Sequence, residues 1–206
     1  MGPVILRRPR RSADTQKLSA AEEYKRSIDP RMDNALGEIT SVSGIIITPF
    51  DLQPEQVRII DIAHALSRQC RFVGHCAGFL SVAEHSVRVA AIVEKTNPEL
   101  ALTGLLHDAS EAYLGDVARP IKHLDGMAAY REAEQRAEQV ISSVYGTVYP
   151  LPPEVIDADR QQFVIEMKTD RWNPSMSMRP ETAKALFLSE FERLDAGRRR
   201  AKRIPF

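Results

Sequence analysis

The feature that most constrains this chain is a polar pair set at the end of an apolar run. Leu100, Ala101, Leu102, Leu105 and Leu106 recur as a largely buried helix requires, and the two residues that follow are His107 and Asp108. An imidazole and a carboxylate at the end of a buried segment are costly unless both find partners. If the helix continues, His107 and Glu111 stand four apart and Asp108 and Glu111 three apart, so all three crowd toward one side. Such a group suits a cation, and the fold must then bring further donors to it.

The flanking pattern predicts mostly helix. Two short strands, 39–42 and 45–48, are expected about Ser43-Gly44 and are ended by Pro49. Helices are expected over 54–69, over 81–95, from Pro98 through the polar cluster, and over 127–145, 154–170 and 181–194. Between them fall loops at 70–79 (with Gly74 and Gly78), 115–125 (with Pro120), 146–153 and 172–180. The predicted class is all-α, an irregular helical domain with a small N-terminal β hairpin. At 206 residues and 43% hydrophobic, the chain fits one domain with a sizeable core. Residues 39–195 are assigned to that domain. Residues 1–38 read as a polar extension with a short helical possibility at 20–28, and 196–206 as a basic tail.

Charge and cysteine usage narrow the function classes. The formal net charge is +0, so no overall basic field exists for non-specific nucleic-acid binding. Positive charge gathers at the ends, in Arg7, Arg8, Arg10 and Arg11 and in Arg198, Arg199, Arg200, Lys202 and Arg203, and such runs read as solvated tails. Cys70 and Cys76 match no zinc-pair spacing and read as free thiols of a reducing compartment. No stretch approaches the roughly 18 uninterrupted apolar residues of a membrane span, and the N-terminal arginines are followed by neither an apolar segment nor a cleavage site. Leu6 stands where myristoylation of Gly2 wants Ser or Thr. A soluble, cytoplasmic protein is expected.

Two further polar residues occupy apolar helix faces. His85 lies between Val82 and Val89, and Asp159 lies among Val155, Ile156 and Phe163. Each alone reads as a hydrogen-bonded core histidine or a solvated aspartate. Together with His107 and Asp108, they form a donor set of imidazole and carboxylate spread over three helices. That set suits a divalent metal such as Zn, Co, Mn or Fe.

The order of four motifs carries a resemblance. AEHS at 83–86, HDASE at 107–111, GDVARPIK at 115–122 and ADR at 158–160 resemble the HD-domain phosphohydrolases, and more narrowly the bacterial 5'-deoxynucleotidases of the YfbR type with their phage relatives, which include dATP triphosphohydrolases. The likeness covers about residues 50–163. It implies the HD-domain helical fold, a divalent cation (Zn, Co, Mn or Mg) on His85, His107, Asp108 and Asp159, and catalytic acids at Glu111 and Asp116. It also implies a phosphate-binding Arg71, a Phe72 packed on base or sugar, Lys122 beside the phosphate, and His75, Arg119 and Pro120 lining the pocket. Read alone, Asp116 after Gly115 is also a turn residue, and Lys122 is also plain surface charge.

The same resemblance implies the substrate class. DIAHALS at 61–67 and CRFVGH at 70–75 are phage-like and favour a dNTP, dATP first, cut at the α-phosphate to deoxynucleoside and triphosphate. The alternative is a 5'-deoxynucleotidase that releases phosphate from a dNMP. A reading of another class is a catalytically silent nucleotide-binding regulator. Relatives are homo-oligomers, so a dimer or hexamer is implied. The continuation Ala-Ser-Glu after His107-Asp108 departs from the glycine-rich histidine segment of dGTP triphosphohydrolases and from the Glu-Asp of ppGpp hydrolases. Phe72 stands where relatives often carry Trp.

Overall fold

The structure, a computed structural model, describes residues 37–201. The expected 20–28 helix, the N-terminal arginine run and the tail beyond 201 lie outside the described residues. The hairpin is shorter than the apolar pattern suggests: β1 (Ile39–Thr40) pairs antiparallel with β2 (Ile46–Ile47), Ile39 opposite Ile47 and Thr40 opposite Ile46. Ser41 closes it early, because its hydroxyl takes the Ile45 N–H at 3.1 Å while its carbonyl takes that of Gly44. The turn is pinned from outside by Asp61, whose two carboxylate oxygens accept from the Ser43 N–H (2.9 Å) and hydroxyl (2.7 Å).

Asp61 belongs to α1 (Ile59–Leu66), which starts five residues later than the sequence predicts. Pro54–Gln56 forms a separate 3-10 turn, held by reciprocal bonds between Gln53 and Gln56, and Val57 and Arg58 are extended. That break lets the buried Val57 enter the core from a non-helical backbone. Next comes α2 (Val82–Thr96), started by Ser81, whose hydroxyl accepts the Glu84 N–H at 3.1 Å. A turn at Pro98–Leu100 leads into α3 (Ala101–Leu105). The two helices approach closely because Gly104 has no side chain: a Cβ there would lie 3.1 Å from Val93 Cγ2 and 3.3 Å from Ala90 Cα.

Contrary to the expected continuous helix, α3 ends before the polar cluster. Leu106 has φ −101° and ψ 9°, and the N–H groups of Ala109, Glu111 and Ala112 reach back three residues rather than four. The cause lies at Gly104, whose carbonyl accepts from His107 Nδ1 at 2.9 Å and so holds the ring back against the preceding turn. α4 (Glu111–Leu114) and α5 (Arg119–Lys122) follow as single turns. Longer helices complete the chain: α6 (Ala128–Tyr145), α7 (Pro153–Lys168) and α8 (Pro180–Ala201). α8 runs past the expected end at 194. Arg198 and Arg199 both pair with Asp195, and Arg198 also binds the Gly146 carbonyl, so Arg198 is tied into the fold while Arg199 stays exposed on the helix surface.

The main core joins α1, α2, α3, α6 and α8 through Ile62, Leu66, Val82, Leu105, Ile141 and Phe187. A smaller cluster of Val89, Val93, Val155 and Ala158 packs α2 on α7. α2 is therefore covered on two sides, which buries even its polar residues. Fully buried Glu84 is neutralised by Arg88, which also binds Asp170, and accepts the Met178 N–H at 3.1 Å. Among the described residues no helix is long and apolar enough to cross a membrane.

Among the described residues Phe187 is the largest fully buried side chain. Phe187→Ala is expected to cost about 3–5 kcal/mol in urea unfolding. Leu124→Ala, at a position 59% exposed, should change stability by no more than about 0.5 kcal/mol.

Candidate metal centre

His85 is fully buried on α2, and His107, 6% exposed, follows α3. His107 Nδ1 faces the Gly104 carbonyl, which can only accept, so that nitrogen carries the proton. His85 Nδ1 lies 2.8 Å from Glu166 Oε1 and is likewise the donor to a carboxylate. Both rings therefore turn Nε2 toward one point, and the two Nε2 atoms stand 3.3 Å apart. Two lone pairs at that distance repel unless a positive charge lies between them.

Carboxylates close the same point. Asp159, projected from α7, places Oδ1 3.1 Å from His85 Nε2 and 3.8 Å from His107 Nε2. Asp108 Oδ2 lies 3.1 Å from His107 Nε2 and 3.6 Å from His85 Nε2. Ligand atoms that share a cation at about 2.0–2.2 Å are separated by roughly 3–3.6 Å, and these spacings fall close to that range. His85, His107 and Asp159 alone bring one ligand atom each to within 4.8 Å of one another. The donor set fits a divalent cation, with two imidazole nitrogens and two carboxylates for a borderline metal.

The field at this point is strongly negative. Burial alone would lower the pKa of His107, but Asp108 and Asp159 outweigh it and raise the value. Burial would raise Asp108, yet His107, His85 and Arg71 hold its carboxyl far below the usual range. Asp159 is also held low, with its close contact to His85 and the neighbouring His107 overcoming its own burial.

Glu111 and Asp116 border the cluster. Glu111 is 6% exposed and its Oε2 has no hydrogen-bond partner among the described residues. Burial first, then the charges of Asp108 and Asp116, push its carboxyl well above the ordinary glutamate value, against Lys122 and Arg71. Asp116 is raised by burial, opposed by Arg71. Its backbone is aimed by Gly115, whose φ of +84° and ψ of 152° a side chain would strain, and by Gln69, whose Oε1 accepts the Asp116 N–H at 3.1 Å. Lys122 Nζ lies 3.5 Å from Glu111 Oε1 and pairs with Glu134.

Arg71 reaches the cluster from the loop before α2. Its Nη1 is 3.7 Å from Asp108 Oδ2, and its Nε donates to Glu166 Oε2 at 2.9 Å. The loop turns through three successive left-handed residues, Phe72 (φ 56°), Val73 (φ 55°) and Gly74 (φ 79°). A β-branched valine there costs on the order of 1–3 kcal/mol, so the turn is held by its surroundings. Phe72 packs on Phe163 (centroids 5.8 Å apart) and under the Arg171 guanidinium at 4.9 Å. Arg171 also lies over Trp172 and donates through Nε to the His75 carbonyl.

The structure thus brings together His85, His107, Asp108, Asp159, Glu111 and Arg71, with Asp116 and Lys122 at the rim. His75, Arg119 and Pro120 are exposed, and their side chains take no part in the described hydrogen bonds of the cluster. Residues absent from the sequence reading are Glu166, Gln162 and Gln69. Gln162 and Glu166 had a signal: they follow Asp159 by three and seven residues, which puts all three on one helix face. Gln69, which also donates to the Glu111 carbonyl at 2.8 Å, had none.

Parts of this chain are shared with known proteins. It is 36% identical over 120 residues to the uncharacterized protein YfdR of Escherichia coli (strain K12), a match covering 58% of this chain and 62% of that protein. It is 32% identical over 132 residues to a 5'-deoxynucleotidase of Vibrio atlanticus, covering 57% of this chain and 64% of the relative. A 5'-deoxynucleotidase of Photobacterium profundum is 35% identical over 79 residues, 31% of this chain and 41% of the relative. Each match spans less than two thirds of the relative's length. No family model matches the chain.

Two outcomes test the electrostatics. Mn²⁺ at 100 times its dissociation constant is expected to stabilise the fold by about 2.7 kcal/mol, or roughly 5–10 °C in melting temperature for a chain of this size, and His107→Ala to abolish that shift. Glu138, on α6, lines a small cavity with His107 and Ser110, and burial followed by the charge of Glu134 pushes its carboxyl up to about 7. A carboxyl raised on folding costs stability above its unfolded pKa, and the cost grows through the folded value. Glu138→Gln should therefore raise the melting temperature at pH 8 and leave it unchanged at pH 4.

Proposed function

We propose that this chain is a metal-dependent phosphohydrolase of the HD type, acting as a 5'-deoxynucleotidase on deoxynucleoside 5'-monophosphates. The observation that carries the reading is the meeting of His85 Nε2 and His107 Nε2 beside two carboxylates, with a guanidinium on one side and a buried, partly unpartnered glutamate on the other. The relatives named 5'-deoxynucleotidase support the monophosphate as substrate. Residues 39–195 are taken as the catalytic unit.

The reaction joins a water oxygen to phosphorus and breaks the bond to the 5'-oxygen, which takes up a proton from solvent as it leaves, giving deoxynucleoside and phosphate. His85, His107, Asp108 and Asp159 would hold a divalent cation, which would supply Lewis acidity toward water and phosphate oxygen. Glu111 takes the water proton, for which a raised pKa makes its carboxylate a stronger base. Asp116 orients the attack from the adjoining loop. Arg71 binds the phosphate oxygens through a fork of N–H donors, and Lys122 adds positive charge beside Glu111. Phe72, packed against Phe163 and Arg171, is the aromatic side chain beside Arg71 that sugar or base would border, with His75, Arg119 and Pro120 farther out.

A dNTP, dATP first, is the second reading, drawn from the phage-like segments. One of them, DIAHALS, has a structural task here: its Asp61 anchors the hairpin turn through Ser43. That task accounts for the segment without a triphosphate. The active assembly is proposed to be a homo-oligomer.

Each dNMP and dATP should be assayed with Mn²⁺, Co²⁺, Zn²⁺ and Mg²⁺, with separate detection of phosphate and triphosphate. Phosphate release from at least one dNMP is expected, and triphosphate from dATP alone would favour the second reading. Glu111→Gln should lower kcat by about 10²–10⁴-fold while Mn²⁺ affinity stays at the wild-type value. A silent nucleotide-binding regulator would show no turnover with any of these substrates.

A further inference from the structure

Glu166 has no part in the reaction as derived, yet it is among the most deeply buried charged groups of the fold, at 0% exposure. Its two oxygens serve two different machines. Oε1 accepts from His85 Nδ1 at 2.8 Å and from Gln162 Nε2 at 3.1 Å. Oε2 accepts from Arg71 Nε at 2.9 Å. We propose that Glu166 is a positioning residue that, with one carboxylate, fixes the cation-binding face of His85 and aims Arg71 at the phosphate, and so ties cation binding to anion binding. This rests on the reading of His85 as a metal ligand and Arg71 as a phosphate-binding residue.

The physical case has three parts. A buried carboxylate survives only when it is neutralised and its lone pairs are used, and Glu166 meets both conditions only while His85 and Arg71 are in place together. On the His85 side, the hydrogen bond selects the tautomer with Nδ1 protonated and leaves the Nε2 lone pair toward Asp159 and Asp108. Charge on the acceptor also makes that nitrogen a better donor to a cation. On the Arg71 side, the bond uses Nε and leaves the Nη groups free to turn inward, where Nη1 already lies 3.7 Å from Asp108. Arginine recognises phosphate through paired N–H groups, so fixing one edge of the guanidinium leaves the other edge pre-set for the ligand. α7 carries both Asp159 and Glu166, two turns apart on one face, so a single helix supplies one proposed ligand and the support for another.

The alternative is a merely structural carboxylate, which would stabilise the fold without touching both affinities. Glu166→Gln distinguishes the two. An amide keeps one accepting oxygen, loses the negative charge and presents an NH₂ that cannot accept from either partner. Glu166→Asp keeps the charge but withdraws it by one methylene, which lengthens and weakens the contacts to both His85 and Arg71. The full chain and both variants would be titrated with Mn²⁺, and then, at Mn²⁺ concentrations saturating each protein, with inorganic phosphate. Circular dichroism identifies the variants that fold.

For Glu166→Gln, Mn²⁺ affinity is expected to fall about 10–100-fold and phosphate affinity about tenfold or more. Glu166→Asp should show smaller losses in both and provides the test if the glutamine variant does not fold. A loss confined to Mn²⁺, a loss confined to phosphate, or no change in either overturns the proposal. Neither titration uses turnover. A wild-type chain that binds Mn²⁺ and phosphate but hydrolyses no nucleotide would sink the hydrolase reading and leave the role of Glu166 to stand on the variants.

Discussion

Two imidazoles that face each other through their Nε2 atoms, 3.3 Å apart in a buried site, are the constraint on which the rest of this structure depends. Neither ring can relax by rotating, because the other nitrogen of each is held, by the Gly104 carbonyl in one case and by Glu166 in the other. The packing follows from this. α2 must be covered on two sides to bury His85, and α3 must stop at Leu105 so that His107 can fold back on its own turn. α7 must lie against α2 along Val155 and Ala158 to deliver Asp159. An apolar core of ordinary composition serves here to hold a small volume of concentrated charge.

Charge is graded across that volume. Asp108 and Asp159 are held low by the imidazoles, while Glu111 and Asp116 are raised by burial. Carboxyls driven in opposite directions a few residues apart are the pattern that the proposed division into cation ligands and proton-transfer groups requires. Arg71 and Lys122 set the outer limit of the negative field, paired with Asp108 and Glu166 in one case and with Glu111 and Glu134 in the other. The left-handed turn at Phe72 and Val73 is the backbone cost of bringing Arg71 inward, offset by the packing of Phe72 between Phe163 and Arg171.

Much of this was legible in the sequence, for identifiable reasons. The helical class and the hairpin followed from apolar periodicity and from Pro49 and Ser43-Gly44. The four polar anomalies on apolar faces, His85, His107, Asp108 and Asp159, do converge in space. What escaped was of two kinds. Backbone breaks were missed where a side chain competes with the helix, as at His107, or where an extended pair follows a tight turn, as at Val57 and Arg58. Supporting residues were missed because a glutamate or glutamine on a long helix looks solvated until a neighbouring helix covers it. Glu166 and Gln162 shared the spacing of Asp159, so periodicity of the buried polar face would have found them, while Gln69 depends on a long-range contact that no local pattern records.

His85, His107, Asp108 and Asp159 are proposed to hold one divalent cation. A crystal grown with Mn²⁺ and measured for anomalous scattering would locate it. One strong peak is expected at about 2.0–2.3 Å from His85 Nε2, His107 Nε2, Asp108 Oδ2 and Asp159 Oδ1. A peak elsewhere in the chain, or no peak at this point in crystals saturated with Mn²⁺, would contradict that proposal.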